Sequence, residues 1–199
     1  MSDGVPPVTV LLVPGSSRAG STNVAALRTA AAQAPAGVIA TLYEAIGSLP
    51  LFNPDDDREG ETVDDRVAEM RAAMGRADAV LICTPEYAGA LPAALKNLLE
   101  WTIGDAGTYG KPVAWINAAG PVSPTGAADA HASLRKVLGY AGAQLVEAAC
   151  TRVPVSRDMI GESGLVEDAG ARGQIRHALE ALADHVTAGP PGAPAAPPA

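Results

Sequence analysis

Apolar residues fall along this chain in two alternating rhythms. Short apolar-rich runs recur at Val8–Val13, which is continuous and β-branched, and at Val38–Tyr43, Ala77–Cys83, Val113–Asn117 and Gln144–Ala148. Such runs suit strands buried on both faces of a parallel sheet. Between them the apolar positions step by three or four, the period of one helix face. Val24, Leu27 and Ala31 make the first stripe, and Val63, Val67, Met70 and Met74 the second. Leu91, Leu95, Leu98 and Leu99 lead up to Trp101 in the third, and Leu134, Val137, Leu138 and Ala141 form the fourth, in a helix over about 127–141. After a loop to about Gly164, Ile175, Leu179, Leu182 and Val186 form the last. The second helix is predicted over about 63–75, with Thr62 as its N-cap and Asp64 and Asp65 near its positive end.

Five strands alternating with five helices predict an α/β fold. Right-handed crossovers would build a parallel sheet with helices on both faces. Ligands in such sheets sit beyond the carboxyl ends of the strands. The loops after strands one, three and four are therefore the places to look for chemistry. The domain is expected over residues 8–187. A flexible lead at 1–7 precedes it, and a disordered Pro/Ala/Gly-rich tail at 188–199 follows.

Composition narrows the partners. The chain has 199 residues, 48% of them apolar, and a formal net charge of −8. It is sized for one domain with a sizeable core. The acidic balance argues against nucleic acid, which needs clustered Lys and Arg, and against anionic membranes. There is no signal-peptide pattern and no apolar run of membrane-spanning length, so a cytoplasmic protein is expected. The two cysteines (Cys83 and Cys150) and three histidines have neither disulfide-scaffold nor metal-ligand spacing, so no metal is expected. Asp55-Asp56-Asp57 reads as a solvated loop.

The loop after the first strand is Gly15-Ser16-Ser17-Arg18-Ala19-Gly20-Ser21-Thr22-Asn23. It opens a helix, whose first N–H groups and partial positive charge suit a phosphate. Ser16, Ser21, Thr22 and Asn23 add side-chain donors, and Arg18 adds a charged fork. It has neither the Lys-Ser/Thr of a Walker loop nor a dinucleotide GxGxxG, which points to a monophosphate. A Ser/Thr-rich turn with an ordinary cap is the plainer alternative. Pro85-Glu86-Tyr87 follows the third strand directly. Tyr87 could flank a planar ring or merely cover the core, and Glu86 could be a solvated charge or a helix cap. Cys83 reads as a small buried hydrophobe and Trp101 as core or interface.

Two of these loops together resemble the NADPH-dependent FMN reductase family of flavodoxin-like proteins, which includes quinone, azo-dye and chromate reductases. GSSRAGSTN (Gly15–Asn23) is similar to the family's GSxRxxSxN, and PEYAGALPAALKNLLEW (Pro85–Trp101) to PEYNxxxPxxLKNxxDW. LPLFNPDDD (Leu49–Asp57) is a softer match. The resemblance runs from about Val8 to Ala149. It implies a flavodoxin-like, doubly wound, five-stranded sheet of order 2-1-3-4-5. It implies FMN as cofactor and NAD(P)H as co-substrate, with a hydride passing from nicotinamide to flavin. The electrons would then go to a small-molecule acceptor: a flavin, quinone, azo compound or metal oxyanion.

By the same resemblance, Ser16, Arg18, Ser21, Thr22 and Asn23 bind the FMN phosphate. Pro85, Glu86, Tyr87 and Ala88 lie along the isoalloxazine, and Ala119 and Gly120 supply the third contact. The flavin carries the chemistry, so no catalytic side chain is assigned. A homodimer or homotetramer is implied, with the helix after Pro-Glu-Tyr near its interface. Ala88 replaces the family's usual Asn, which removes a side-chain hydrogen bond near the ring, and the loop after strand four lacks the usual Ser. Two alternatives stand beside the reductase: a flavodoxin-like electron carrier, and a flavin-less binding or scaffold protein that keeps the fold.

Overall fold

A computed structural model describes residues 6–18, 20–121 and 123–189. The terminal segments read from sequence as flexible lie almost wholly outside these residues. The sheet contains β1 (Val8–Pro14), β2 (Val38–Leu42), β3 (Ala79–Cys83), β4 (Pro112–Asn117) and β5 (Gln144–Leu145), in the order β2-β1-β3-β4-β5. All pairings are parallel; Leu12 sits opposite Leu42 on one side and Leu81 on the other. The helices are α1 (Thr22–Ala32), α2 (Asp65–Arg76), α3 (Ala93–Trp101), α4 (Ala128–Tyr140) and α5 (Ala169–Ala188). This is the doubly wound topology expected from the sequence, with its reversal of strand order between β1 and β3.

The strands feed two cores because successive side chains point to opposite faces. Leu12, Leu81, Cys83 and Ile116 pack with Leu27 of α1 and Ile175, Leu179 and Leu182 of α5. Leu11, Val13, Val80 and Ile82 pack with Met70 and Met74 of α2, Leu95, Leu98 and Trp101 of α3, and Leu134 and Leu138 of α4. Every residue of β3 is buried, which explains why its sequence shows no polar alternation.

Two expectations need correction. The cap of α2 is Asp64, not Thr62: its carboxylate accepts from the Arg66 N–H at 2.9 Å and is also gripped by the Arg66 guanidinium. The fifth strand does not run unbroken to Ala148. It stops at Leu145, a 3-10 turn occupies Glu147–Ala149, and a sixth strand, β6 (Thr151–Arg152), resumes pairing with the far end of β4. The turn follows from its side chains. Ala149 is buried in the core, while Glu147 is drawn outward to an ion pair with Arg135 of α4.

Acidic residues 55–57 do not behave alike. Asp55 is an exposed partner of Arg58, whereas Asp57 is largely buried against Arg71 at 2.7 Å. Arg71 also donates to the Trp101 carbonyl and lies over the Trp101 ring. The two softer parts of the sequence motif meet here. Asn97 accepts from the Phe52 N–H at 2.7 Å and donates to the Pro50 carbonyl at 2.8 Å, which Trp101 Nε1 also reaches. Phe52 packs edge-on against Trp101. Asn97 and Trp101 therefore brace the fold.

Candidate functional site

The site lies at the carboxyl edge of the sheet, where β1 and β3 separate. Gly15 is required there. Its N–H donates to the Cys83 carbonyl at 2.8 Å, and a Cβ at this position would come within 2.0 Å of Thr84 Oγ1. The two chains thus close a floor from which the first loop turns into α1. Ser21 occupies the N-cap position in extended conformation, yet its hydroxyl makes no capping bond. Among the described residues the first-turn N–H groups of α1 have no side-chain partner, the arrangement an anion satisfies.

Ser16, Ser21 and Asn23 are buried, and Thr22 is half-buried. Arg18 is exposed, and its backbone N–H donates to Ser16 Oγ at 3.2 Å. The amide oxygen of Asn23 accepts from the Cys83 thiol at 3.3 Å. Complete burial pushes that thiol's pKa far up, despite a bond to the Ala118 backbone that pulls it down. Cys83 is thus an inert spacer, because reactive cysteines require the thiolate.

The loop after β3 is a tight hairpin. Tyr87 and Ala90 exchange backbone hydrogen bonds of 3.0 and 3.1 Å around Ala88 and Gly89. Both central residues have positive φ, 52° and 71°, the signature of a primed turn that favours Asn-Gly. The departure at Ala88 therefore has a conformational meaning that the sequence reading missed. Tyr87 is 49% exposed, so it does not cover the core, and its hydroxyl lies 3.4 Å from Ser16 Oγ. The first and third loops meet through this contact.

Glu86 joins the third and fourth. Its carboxylate accepts from Thr125 Oγ1 at 2.6 Å and from the N–H groups of Asp129 and Ala130 at 3.0 and 3.1 Å. The N-cap of α4 is Ala127, in a left-handed conformation and unable to cap with its side chain. Glu86 takes over from a distant loop. Its pKa is lowered by the Thr125 hydroxyl first and then by the two helix N–H groups. It is a helix cap, although of α4 and not of α3, which follows it in sequence. Pro85 is half-buried at the base of this hairpin.

In the loop after β4, Asn117 Oδ1 accepts from the Ala119 N–H at 3.0 Å and its Nδ2 donates to the Gly126 carbonyl at 2.8 Å. Ala119 and Gly120 are half-buried. Behind the loop, His131 is buried beside Trp115; its Nδ1 lies 2.7 Å from the Ala127 carbonyl and its Nε2 has no partner. Burial lowers its pKa, which favours the neutral ring, and the Ala127 carbonyl beside Nδ1 favours the tautomer with the proton there. Thr125, Asn117 and His131 were not singled out in sequence. Asn117 alone left a local trace, a polar residue closing an apolar strand before a Gly/Pro/Ser loop.

Comparisons with known proteins agree with this geometry. Residues 8–154 match the family model for NADPH-dependent FMN reductase. An NAD(P)H-dependent FMN reductase of Pseudomonas aeruginosa is 31% identical over 184 residues, covering 92% of this chain and 95% of its own. A quinone reductase of Pseudomonas putida is 32% identical over 181 residues, with coverage of 88% and 90%. The structure of FerB, a flavoenzyme NAD(P)H:(acceptor) oxidoreductase from Paracoccus denitrificans, superposes with a TM-score of 0.77 at 26% identity, covering 91% of this chain and 98% of that one. By its family match, its sheet order and the loops gathered at its sheet edge, the chain belongs to the NADPH-dependent FMN reductase family.

Proposed function

We propose that this protein is an FMN-dependent NAD(P)H oxidoreductase acting on small acceptors, quinones or flavins. The observation that carries the reading is the linked set of loops at the sheet edge, Ser16 to Tyr87 and Glu86 to Thr125, beside an uncapped helix N-terminus. A flavin phosphate fits that terminus, because Ser16, Ser21, Thr22 and Asn23 bring donors around it and Arg18 brings charge. When bound, FMN supplies the hydride and electron transfer, so no side chain is needed as general acid or base. Pro85, Tyr87 and Ala88 would flank the ring, with Ala119 and Gly120 as the third contact. Glu86 would act through its backbone there, since its carboxylate is committed to α4.

The reading extends to the whole molecule. Residues 8–187 would form the FMN-binding unit. Among the described residues no helix is long and apolar enough to cross a membrane. Both cysteines are free, which suits a reducing cytoplasm. The exposed Ile103 and Tyr140 beside α3 and α4 support a homodimer, or a homotetramer built from such dimers.

The test is the visible spectrum of purified protein before and after FMN addition and desalting, followed by NAD(P)H oxidation with benzoquinone. Stoichiometric flavin that NAD(P)H bleaches and quinone restores is expected. A colourless protein that retains no FMN would overturn the reading. Flavin that NAD(P)H fails to bleach would make the protein an electron carrier.

A further inference from the structure

His131 is 8% exposed, and among the described residues its Nε2 has no hydrogen-bond partner. Its Nδ1 lies 2.7 Å from the Ala127 carbonyl, which also accepts the His131 backbone N–H at 3.2 Å. Ala127 is buried and holds a φ of 61°. It is the last of three consecutive residues, each tied to a different part of the fold. Thr125 Oγ1 donates to Glu86 of the loop after β3, the Gly126 carbonyl accepts from Asn117 at the end of β4, and the Ala127 carbonyl accepts from the His131 ring. Asn117 Oδ1 in turn accepts from the Ala119 N–H. The clamp on residues 125–127 thus extends to the segment that carries Ala119 and Gly120.

The surroundings suit a neutral ring and oppose a charged one. A proton on Nε2 would bury a cation without an acceptor, one turn from the positive end of α4. On α4 itself, Arg135 lies over the Trp115 ring beside which His131 packs, and Asp129 is exposed. From the turn after β5, Glu147 is committed to Arg135, and Cys150 stays protonated because burial pushes its thiol up to about 11. α3 brings Lys96 and Glu100, which pair with each other. Glu86 is the carboxylate that acts on the ring, and its oxygens already hold Thr125, Asp129 and Ala130. Burial is the largest influence on the ring and lowers its pKa, outweighing the Ala127 carbonyl and Glu86, which raise it.

We propose that His131 is a positioning residue with a pH-dependent grip: neutral, it holds the loop after β4 in its flavin-binding form, and on protonation it lets that loop go. The inference rests on the FMN reading above. A buried imidazolium finds relief only by turning out to water or by drawing the Glu86 carboxylate to itself. The first movement gives up the Ala127 carbonyl, and the second takes Glu86 from the start of α4. Either one loosens residues 125–127 and, through Asn117, the proposed flavin contacts at Ala119 and Gly120. Because the clamped ring has the lower pKa, the released ring takes up the proton first as pH falls. The grip is therefore complete above the ordinary histidine pKa of about 6.5 and is lost as pH falls through the lowered value. Glu86 stays ionised in the upper part of that window, since its own pKa lies below the usual glutamate value.

The experiment titrates FMN into wild type, His131→Asn and His131→Leu at about pH 7.5 and about pH 5.5. Asn keeps a donor for the Ala127 carbonyl and does not titrate, whereas Leu keeps no donor. The FMN phosphate also titrates at about pH 6, but equally against all three proteins, so the readout is the difference between them. Acidification should weaken FMN at least roughly fivefold more in wild type than in His131→Asn. At the higher pH, His131→Asn should bind FMN nearly as wild type does, and His131→Leu more weakly. Parallel pH profiles for wild type and His131→Asn would overturn the proposal, as would His131→Asn binding no better than His131→Leu. A second measurement needs no variant: the His131 ring of wild type is titrated by NMR while amide exchange is followed at Ala119, Asp129 and Ala130, each relative to Leu138 at the same pH. Exchange at the three amides should rise as the ring takes up its proton, and an unchanged ratio would overturn the proposal. If the protein retains no FMN, the flavin reading fails, and the NMR measurement on the flavin-free chain still decides whether His131 holds the loop.

Discussion

Ala88 is held in a conformation that its side chain opposes. Its φ of 52° lies in the left-handed region, where a non-glycine residue costs ~1–2 kcal/mol. Gly accepts the region freely, and Asn tolerates it. Ala88 is exposed, so a substitution there disturbs no packing. Ala88→Gly and Ala88→Asn should each stabilise the fold by ~1 kcal/mol, read as a higher urea midpoint at unchanged slope. A lower midpoint for both variants would show that the hairpin is not built on this turn. Under the proposed function Arg18 would make the opposite kind of contribution, to binding and not to folding. Arg18→Ala should weaken FMN by ~1.5–3 kcal/mol, roughly tenfold to a hundredfold in Kd, with little change in melting temperature. An unaltered FMN titration would remove Arg18 from the phosphate site.

At the scale of elements, the notable event is one loop capping another loop's helix. α4 begins at an alanine that cannot cap, and the carboxylate of Glu86 fills that role. Because folding lowers the Glu86 pKa, the unfolded chain takes up the proton first as pH falls. Its stabilisation is therefore complete above the ordinary glutamate pKa and disappears as pH falls through the lowered value. Glu86→Gln should melt below wild type at neutral pH, and the gap should close in acid, below about pH 4. A gap independent of pH would mean that shape, and not charge, makes the cap. This element also shows where sequence reading stops. The strands, the helices and the tight loop after β1 were legible because each is written in contiguous residues with its own pattern. The partners of Glu86 lie 39 to 44 positions away, and nothing near Glu86 marks them. The break in the fifth strand was hidden for a similar reason, since it depends on Glu147 finding Arg135 across to α4.

Over the whole molecule the two helical layers are unequal. α1 and α5 cover one face of the sheet, while α2, α3 and α4 cover the other. The second layer leaves a largely apolar groove of about 280 Å³ between α3 and α4, lined by Leu99, Ile103, Val137 and Tyr140 and rimmed by Lys96, Glu100 and Lys136. Ile103 is 55% exposed and Tyr140 84%, unusual for large apolar side chains so close together. A two-fold axis through such a face would bury Ile103 and Tyr140 of both partners and bring Lys and Glu rims of opposite sign together, since a two-fold interface repeats the same patch on both partners. The loops after β3 and β4 precede α3 and α4 directly, so pairing would also rigidify the segments that carry Tyr87 and Thr125. Wild-type protein should sediment as a dimer at micromolar concentration, and Ile103→Asp with Tyr140→Asp should shift it to the monomer by placing a buried charge in each half of the interface. The monomeric variant should also bind FMN more weakly, because its loops lose that support. A wild-type monomer under the same conditions would leave the groove as surface, and a dimeric double variant would place the interface elsewhere.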